Sequence, residues 1–185
     1  MKGAGVGFFA ALLAALVIAV PAIAGQGKYD MNEGARALRN GEFALAVEHL
    51  TSAIQSGELV GEAFVVMHIS RAQAYYHMEE YELAATDLAL AIESGVINDT
   101  LVGIALATRA SAYRMSGDWV RAVEDFDEAI ALGTDNAKMY FHRGLALEGA
   151  GRHVRALEDF RRAHEMAPEN DVIRKKLLEL GEAVD

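Results

Sequence analysis

The 185-residue chain contains no cysteine, two prolines and one tryptophan. Without cysteine there is no disulfide, no lipid-attached cysteine and no thiolate metal site, so oxidising surroundings cost the chain nothing. With only Pro21 and Pro168, and with 52% hydrophobic and 24% charged residues, the composition is globular and helical rather than disordered. Catalytic signatures are missing too. There is no G-x-S-x-G and no phosphate-cradling glycine loop, and the G-x-G at Gly25–Gly27 comes after an apolar segment rather than a strand. The histidines His49, His68, His77, His142, His153 and His164 form no H-x-x-x-H pair, which leaves no metal signature and assigns them to packing. The formal charge of −10 disfavours nucleic acid and anionic lipid as partners.

Long apolar runs are absent after Gly25, but one stands before it. Lys2 is the only charged side chain ahead of Lys28, and Val6–Ala24 lies between them. A positive start, an apolar run and then Ala22-Ile23-Ala24 form a secretory signal peptide pattern, with cleavage expected after Ala24. Pro21 ends the apolar stretch just before the small-residue site. The alternative is an uncleaved anchor, since the run is just long enough for a hydrocarbon core of roughly 30 Å. Either way the remainder is expected to be exported, to a bacterial periplasm or to the periplasmic face of the inner membrane.

From Gly27 onward the chain is repetitive. In 137–168, Tyr140, Gly144, Leu147, Gly151, Ala156, Phe160, Ala163 and Pro168 occupy fixed offsets of a 34-residue unit. Moved back by 34, the template meets Ala110, Tyr113, Gly117, Ala122, Phe126 and Ala129. Two further steps of 38 meet Ala72, Tyr75, Ala84, Leu88 and Ala91, then Gly34, Gly41, Ala46, Leu50 and Ala53. The units span 27–64, 65–102, 103–136 and 137–168, and each reads as two amphipathic helices. In the third, Leu101–Met115 and Trp119–Leu132 flank Gly117, which closes the first helix, and Asp118, which caps the second. Gly57, Gly95 and Gly133 end the second helices, and Asn98-Asp99-Thr100 and Thr134-Asp135-Asn136 supply caps for the next. The first two connectors are four residues longer than the third, about one helical turn. The first helices of units two and three are therefore expected to start early, near Glu58 and Thr100. After Pro168, Asn170-Asp171 caps a closing helix over Val172–Leu180, within a terminal segment 169–185.

The 34-residue period and these positions resemble the tetratricopeptide repeat (TPR) family over about Gly27–Pro168. The likeness is strongest in units three and four; in unit one Ala37 replaces the usual aromatic and Asp30 the usual large residue. It implies an all-α, right-handed α-solenoid of four helix–turn–helix units with a C-terminal capping helix. The alanines at 46, 84, 122 and 156, and at 53, 91, 129 and 163, fit helix axes at the close end of ~8–10 Å. Leu50, Leu88, Phe126 and Phe160, with the ladder Phe43, Tyr81, Trp119 and His153, fill the holes between. Arg71, Arg109 and Arg143 each precede an aspartate (Asp87, Asp125, Asp159) by sixteen residues, which predicts a bidentate pair within each unit. In unit one Glu33 and His49 replace both, a joint exchange that suggests the two positions meet.

The resemblance also implies a concave wall built from the first helices. Its positions fall on Met31 and Ala35; on Ile69, Gln73 and Tyr76; on Ala107, Ser111 and Arg114; and on Phe141, Leu145 and Glu148. This wall is largely apolar, and Gln73 and Arg114 alone do not make the charged clamp of chaperone-tail-binding TPR domains. An apolar or mixed peptide is expected, with Ile69, Tyr76, Phe141 and Leu145 as anchors and Arg114 for orientation. The acidic pairs at 79–80, 124–125 and 127–128 read as solvated faces rather than acid–base machinery. The expected role is a non-enzymatic protein–protein interaction module or scaffold without cofactor. The alternatives are self-association through the wall or the repeat ends, and a tethered envelope component.

Overall fold

The computed structural model describes residues 25–183, so the apolar segment 1–24 lies outside the described residues. The described residues form nine helices and no strand: α1 (Gln26–Asn40), α2 (Phe43–Gln55), α3 (Glu62–His77), α4 (Tyr81–Glu93), α5 (Asp99–Ser116), α6 (Trp119–Ala131), α7 (Ala137–Gly149), α8 (His153–Met166) and α9 (Asp171–Glu179). Consecutive helices pack against each other all along the chain, giving four stacked hairpins and a closing helix: an all-α solenoid.

The same local device turns each hairpin. The amides of Glu42, Glu80, Asp118 and Arg152 donate to the carbonyls of Ala37, Tyr75, Tyr113 and Leu147 at 2.8–2.9 Å. The residue before each of these bonds back over a shorter loop, which completes a Schellman motif. That preceding residue must be left-handed. It is Gly41, Gly117 and Gly151 in three units, but Glu79 at φ 63 in the second. The next helices open on side-chain caps: the Asn98, Asn136 and Asn170 carboxamide oxygens accept from amides two or three residues on, and the Asp118 carboxylate does so for α6.

Small residues set the spacing between paired helices. A Cβ on Gly34 would lie 2.6 Å from Leu50 Cγ, and one on Gly144 would lie 2.7 Å from Phe160 Cε1. Larger side chains therefore fill the space from the second helix only, and Leu50, Leu88, Phe126 and Phe160 are fully buried. α9 departs from this rule. Leu178 stands one period after Gly144 and is 56% exposed.

The aromatic ladder joins units. Phe43 stacks on His77 of the next unit, with ring centroids 4.5 Å apart and planes 10° from parallel. Tyr81 meets Tyr76 of its own unit, and the Trp119 indole lies over Gly149 of the next, where a Cβ would approach within 2.5 Å. His153 does not continue the ladder and is exposed, because α9 stops at Glu179, short of the place one period beyond Gly149.

One connector corrects the sequence expectation. α5 does start early, at Asp99, but α3 starts at Glu62 rather than near Glu58. Gly57 and Gly61 hold positive φ at either end of the 57–61 loop, and Leu59 is buried beneath it. Glu58 is used elsewhere: its Oε2 accepts from the amides of Gly25 and Gly27 at 3.2 and 3.0 Å. An extra helical turn on α3 would withdraw it from the start of α1.

Candidate interaction groove

Two polar constructions run through the solenoid. The first holds each hairpin closed. Arg71, Arg109 and Arg143 each send Nε and Nη2 to the two oxygens of Asp87, Asp125 and Asp159 at 2.6–2.8 Å. The aspartates are 2–6% exposed, so the pairing offsets the desolvation of three buried charges. The hydrogen bonds to these aspartates raise the arginine pKa values above their ordinary range, against the opposing effect of burial. The remaining guanidinium nitrogen reaches back a unit: Arg71 Nη1 to Thr51 at 3.0 Å, and Arg143 Nη1 to Asp127 at 2.6 Å. Ala89 occupies the corresponding place for Arg109, where the side chain offers no acceptor.

Unit one is wired differently from its expected Glu33–His49 contact. Glu33 pairs with Arg36 on its own helix, and His49 Nδ1 lies 2.9 Å from Asp30 Oδ1. Ser52 donates to the other Asp30 oxygen at 2.6 Å. Burial pushes the Asp30 carboxyl up, but hydrogen bonds from Ser52, Gln26 and His49 outweigh it and hold the pKa below the usual value. The true exchange is with unit two, where His68 Nδ1 meets Asp87 Oδ1 at 2.8 Å. Acid and imidazole have traded helices between the two units. The position of Asp30 carried that signal, one turn from where the arginine pattern directed attention.

The second construction is a groove of about 530 Å³ along the first helices. Leu38 of α1, Gln73, Tyr76 and His77 of α3, Ile104, Ala107, Thr108 and Ser111 of α5, and Lys138, Met139 and His142 of α7 line it. Thr134 and Asn136 close one corner. Ile104 is 53% exposed and lines the groove. The hydroxyls of Thr108 and Ser111 donate back to Ile104 and Ala107 carbonyls at 2.8 and 2.9 Å, so their oxygens remain as acceptors.

Four of the residues expected on the wall therefore line this groove: Gln73, Tyr76, Ala107 and Ser111. The others are used differently. Met31 packs on the first core cluster and Ile69 on the second-unit cluster. Phe141 and Leu145 pack on the largest cluster, with the Phe141 ring 5.6 Å from that of Phe160. Glu148 is held by Lys176 of α9 at 2.7 Å. Arg114 stands beside the groove, with its Nε buried and unpaired among the described residues.

Ile104, Lys138 and His142 were not anticipated. Neither Lys138 nor Arg114 meets a carboxylate among the described residues, and no acidic side chain among them lines the groove. His142 feels this: burial first, then the charges of Arg114 and Lys138, push its pKa down to about 4. Its Nδ1 is buried without a partner among the described residues. In a chain of net charge −10, the groove is a local cationic, half-apolar strip. Among the described residues no group of three His, Asp or Glu stands close enough to hold a metal ion, and no helix is long and apolar enough to cross a membrane.

Residues 108–171 match the family model described as tetratricopeptide repeat. No curated protein matches the sequence. Among solved structures, MamA from residue 41 onward, from Desulfovibrio magneticus RS-1, is similar with a TM-score of 0.70 at 19% identity, over 82% of this chain and 81% of that one. The second TPR domain of human RPAP3 in complex with the HSP70 peptide SGPTIEEVD has a TM-score of 0.59 at 22% identity, over 67% of this chain and all of the other. The first TPR of Spaghetti (RPAP3) bound to the HSP90 peptide SRMEEVD gives 0.58 at 21% identity, over 66% and 94%. Residues 108–171 thus match the tetratricopeptide repeat, and the described residues share the solenoid fold of these solved TPR structures.

Proposed function

We propose that this protein is a non-catalytic interaction module that holds an extended segment of a partner protein in the α1–α3–α5–α7 groove, on the far side of a bacterial inner membrane. The observation that carries the reading is the groove itself. It combines exposed apolar surface at Ile104 and half-buried Tyr76 and Leu38 with Lys138, and with Arg114 beside it, cations that no carboxylate of the described residues neutralises. A segment with one or two apolar side chains and an adjacent carboxylate fits both features: the apolar groups cover Ile104, and the carboxylate meets Lys138 beside His142. The peptides on the two RPAP3 domains, which share this fold, also combine acidic and apolar residues, and that supports the reading. Export rests on the sequence of residues 1–24 alone.

The test is selection of dodecapeptides from a random display library on residues 25–185, with the Ile104→Glu/Lys138→Glu double variant as counter-target. Both sites are solvent-facing, so unchanged helical circular dichroism is expected of the variant. Enriched peptides should carry an acidic residue next to an apolar one and should bind the variant at least tenfold more weakly. Peptides that bind both forms equally would remove the groove from the proposal. Self-association is the second reading, favoured by the exposed Val172 and Leu178 of α9 and Leu180 just after it. A mass in solution at least twice that of the monomer, lost on Leu178→Glu, would establish it instead.

A further inference from the structure

The start of α1 is held in an unusual way. Its capping residue, Gly25, has no side chain to offer, and the first amides of the helix need acceptors. A single carboxylate from more than thirty residues away supplies them: Glu58 Oε2 accepts from Gly25 N at 3.2 Å and from Gly27 N at 3.0 Å. The fit is close, since a Cβ on Gly27 would lie 3.1 Å from that oxygen and 2.4 Å from Ser56 Oγ. Glu58 is brought there by the 57–61 loop, which stays out of α3. The carboxylate thus sits against the one backbone nitrogen that comes directly after Ala22-Ile23-Ala24 in the sequence.

We propose that Glu58 is the receptor for a new chain terminus, the α-ammonium of Gly25, released when the Ala24–Gly25 bond is cut. Water is the co-reactant: its oxygen goes to the Ala24 carbonyl carbon, which leaves as a carboxylate, and both of its protons go to the Gly25 nitrogen, which already carries one hydrogen and becomes an ammonium. The nitrogen already within hydrogen-bond distance of Glu58 then becomes a cation, and a neutral bond becomes a charge-assisted one. Cutting also removes the constraint that puts Gly25 at φ 93, because that torsion no longer joins two peptide groups. A cut at any other bond would leave the charge elsewhere. The inference rests on the export reading for where the cut occurs, but the docking of the terminus is testable without it.

Two measurements separate the two parts. The first is the intact mass of the full-length chain recovered from a bacterial envelope. A product starting at Gly25 is expected; one that retains residues 1–24, or starts elsewhere, overturns the proposed cut. The second is the α-amino pKa of a chain starting at Gly25, measured through the pH dependence of its acylation rate. It should stand about half a unit above the ordinary value of about 7.7. Glu58→Gln should return it to the ordinary value, and so should a chain that starts one residue earlier, at Ala24, with Glu58 intact. For a terminus whose pKa rises on folding, the added stability is complete below about pH 7.7 and fades as pH climbs through the raised value. The same α-amino pKa in all three chains would overturn the docking while leaving the export reading standing.

Discussion

Glu79 is where a single side chain disagrees with its turn. The other three hairpins place glycine at this left-handed position, and Glu79 holds it at φ 63. A left-handed non-glycine residue costs roughly 1–2 kcal/mol, part of which glycine returns through unfolded-state entropy. Glu79→Gly should therefore stabilise the fold by about 0.5–1 kcal/mol in urea denaturation. His142 gives a second prediction. Its folded pKa, near 4, lies below the ordinary 6.5, so the unfolded chain binds more protons in that window. Stability should fall as pH drops from about 6.5 towards 4, and His142→Gln should flatten that part of the melting-temperature profile. Only part of the groove was legible in the sequence. Gln73, Tyr76 and Ser111 came from the repeat template, whereas Ile104, Lys138 and His142 lie on neighbouring helical stripes. A large apolar residue at 104, on a stripe otherwise carrying Thr108 and Lys138, was the available signal. Phe141 and Leu145 pack against the largest core cluster, because an apolar side chain on a first helix serves the core as readily as a groove.

Within each of the last three hairpins a buried Arg–Asp pair dominates. Removing one partner leaves an uncompensated buried charge, a loss of typically ~3–5 kcal/mol, while removing both restores an apolar contact. Arg143→Met and Asp159→Leu should each destabilise strongly, and the double variant should lose much less than the sum. Thermal melts of the four-member cycle measure the coupling, and additivity would mean the geometry at 2.6–2.7 Å carries no energy. This pairing was readable because a fixed interval of sixteen residues recurred in three units. The unit-one wiring was not, because Asp30 lies outside that interval. Helix lengths were readable from caps and glycines, except at α3. Four extra residues look the same in a sequence whether they extend a helix or form a loop, and only the partner of Glu58 decides between them.

Across the molecule the ties between units are uneven. Arg71 reaches Thr51 and Arg143 reaches Asp127, but Ala89 stands at the matching position for Arg109, and the cluster between units two and three is built mainly of alanines. The largest core, with Phe126, Leu147, Phe160 and Leu177, lies under units three and four and α9. Native-state hydrogen exchange should therefore show α1–α4 opening at a lower free energy than α5–α9, and Ala89→Asp should narrow the gap by giving Arg109 its missing acceptor. Equal protection throughout would mean the solenoid behaves as one unit. Leu178 carries a different consequence. At the place where every earlier first helix has glycine or alanine, its isobutyl group would strike a succeeding helix at the distance these hairpins need. The array is thus closed to growth at its C-terminal end. A longer binder made by copying units would have to be spliced in before α9, or begin with Leu178→Gly.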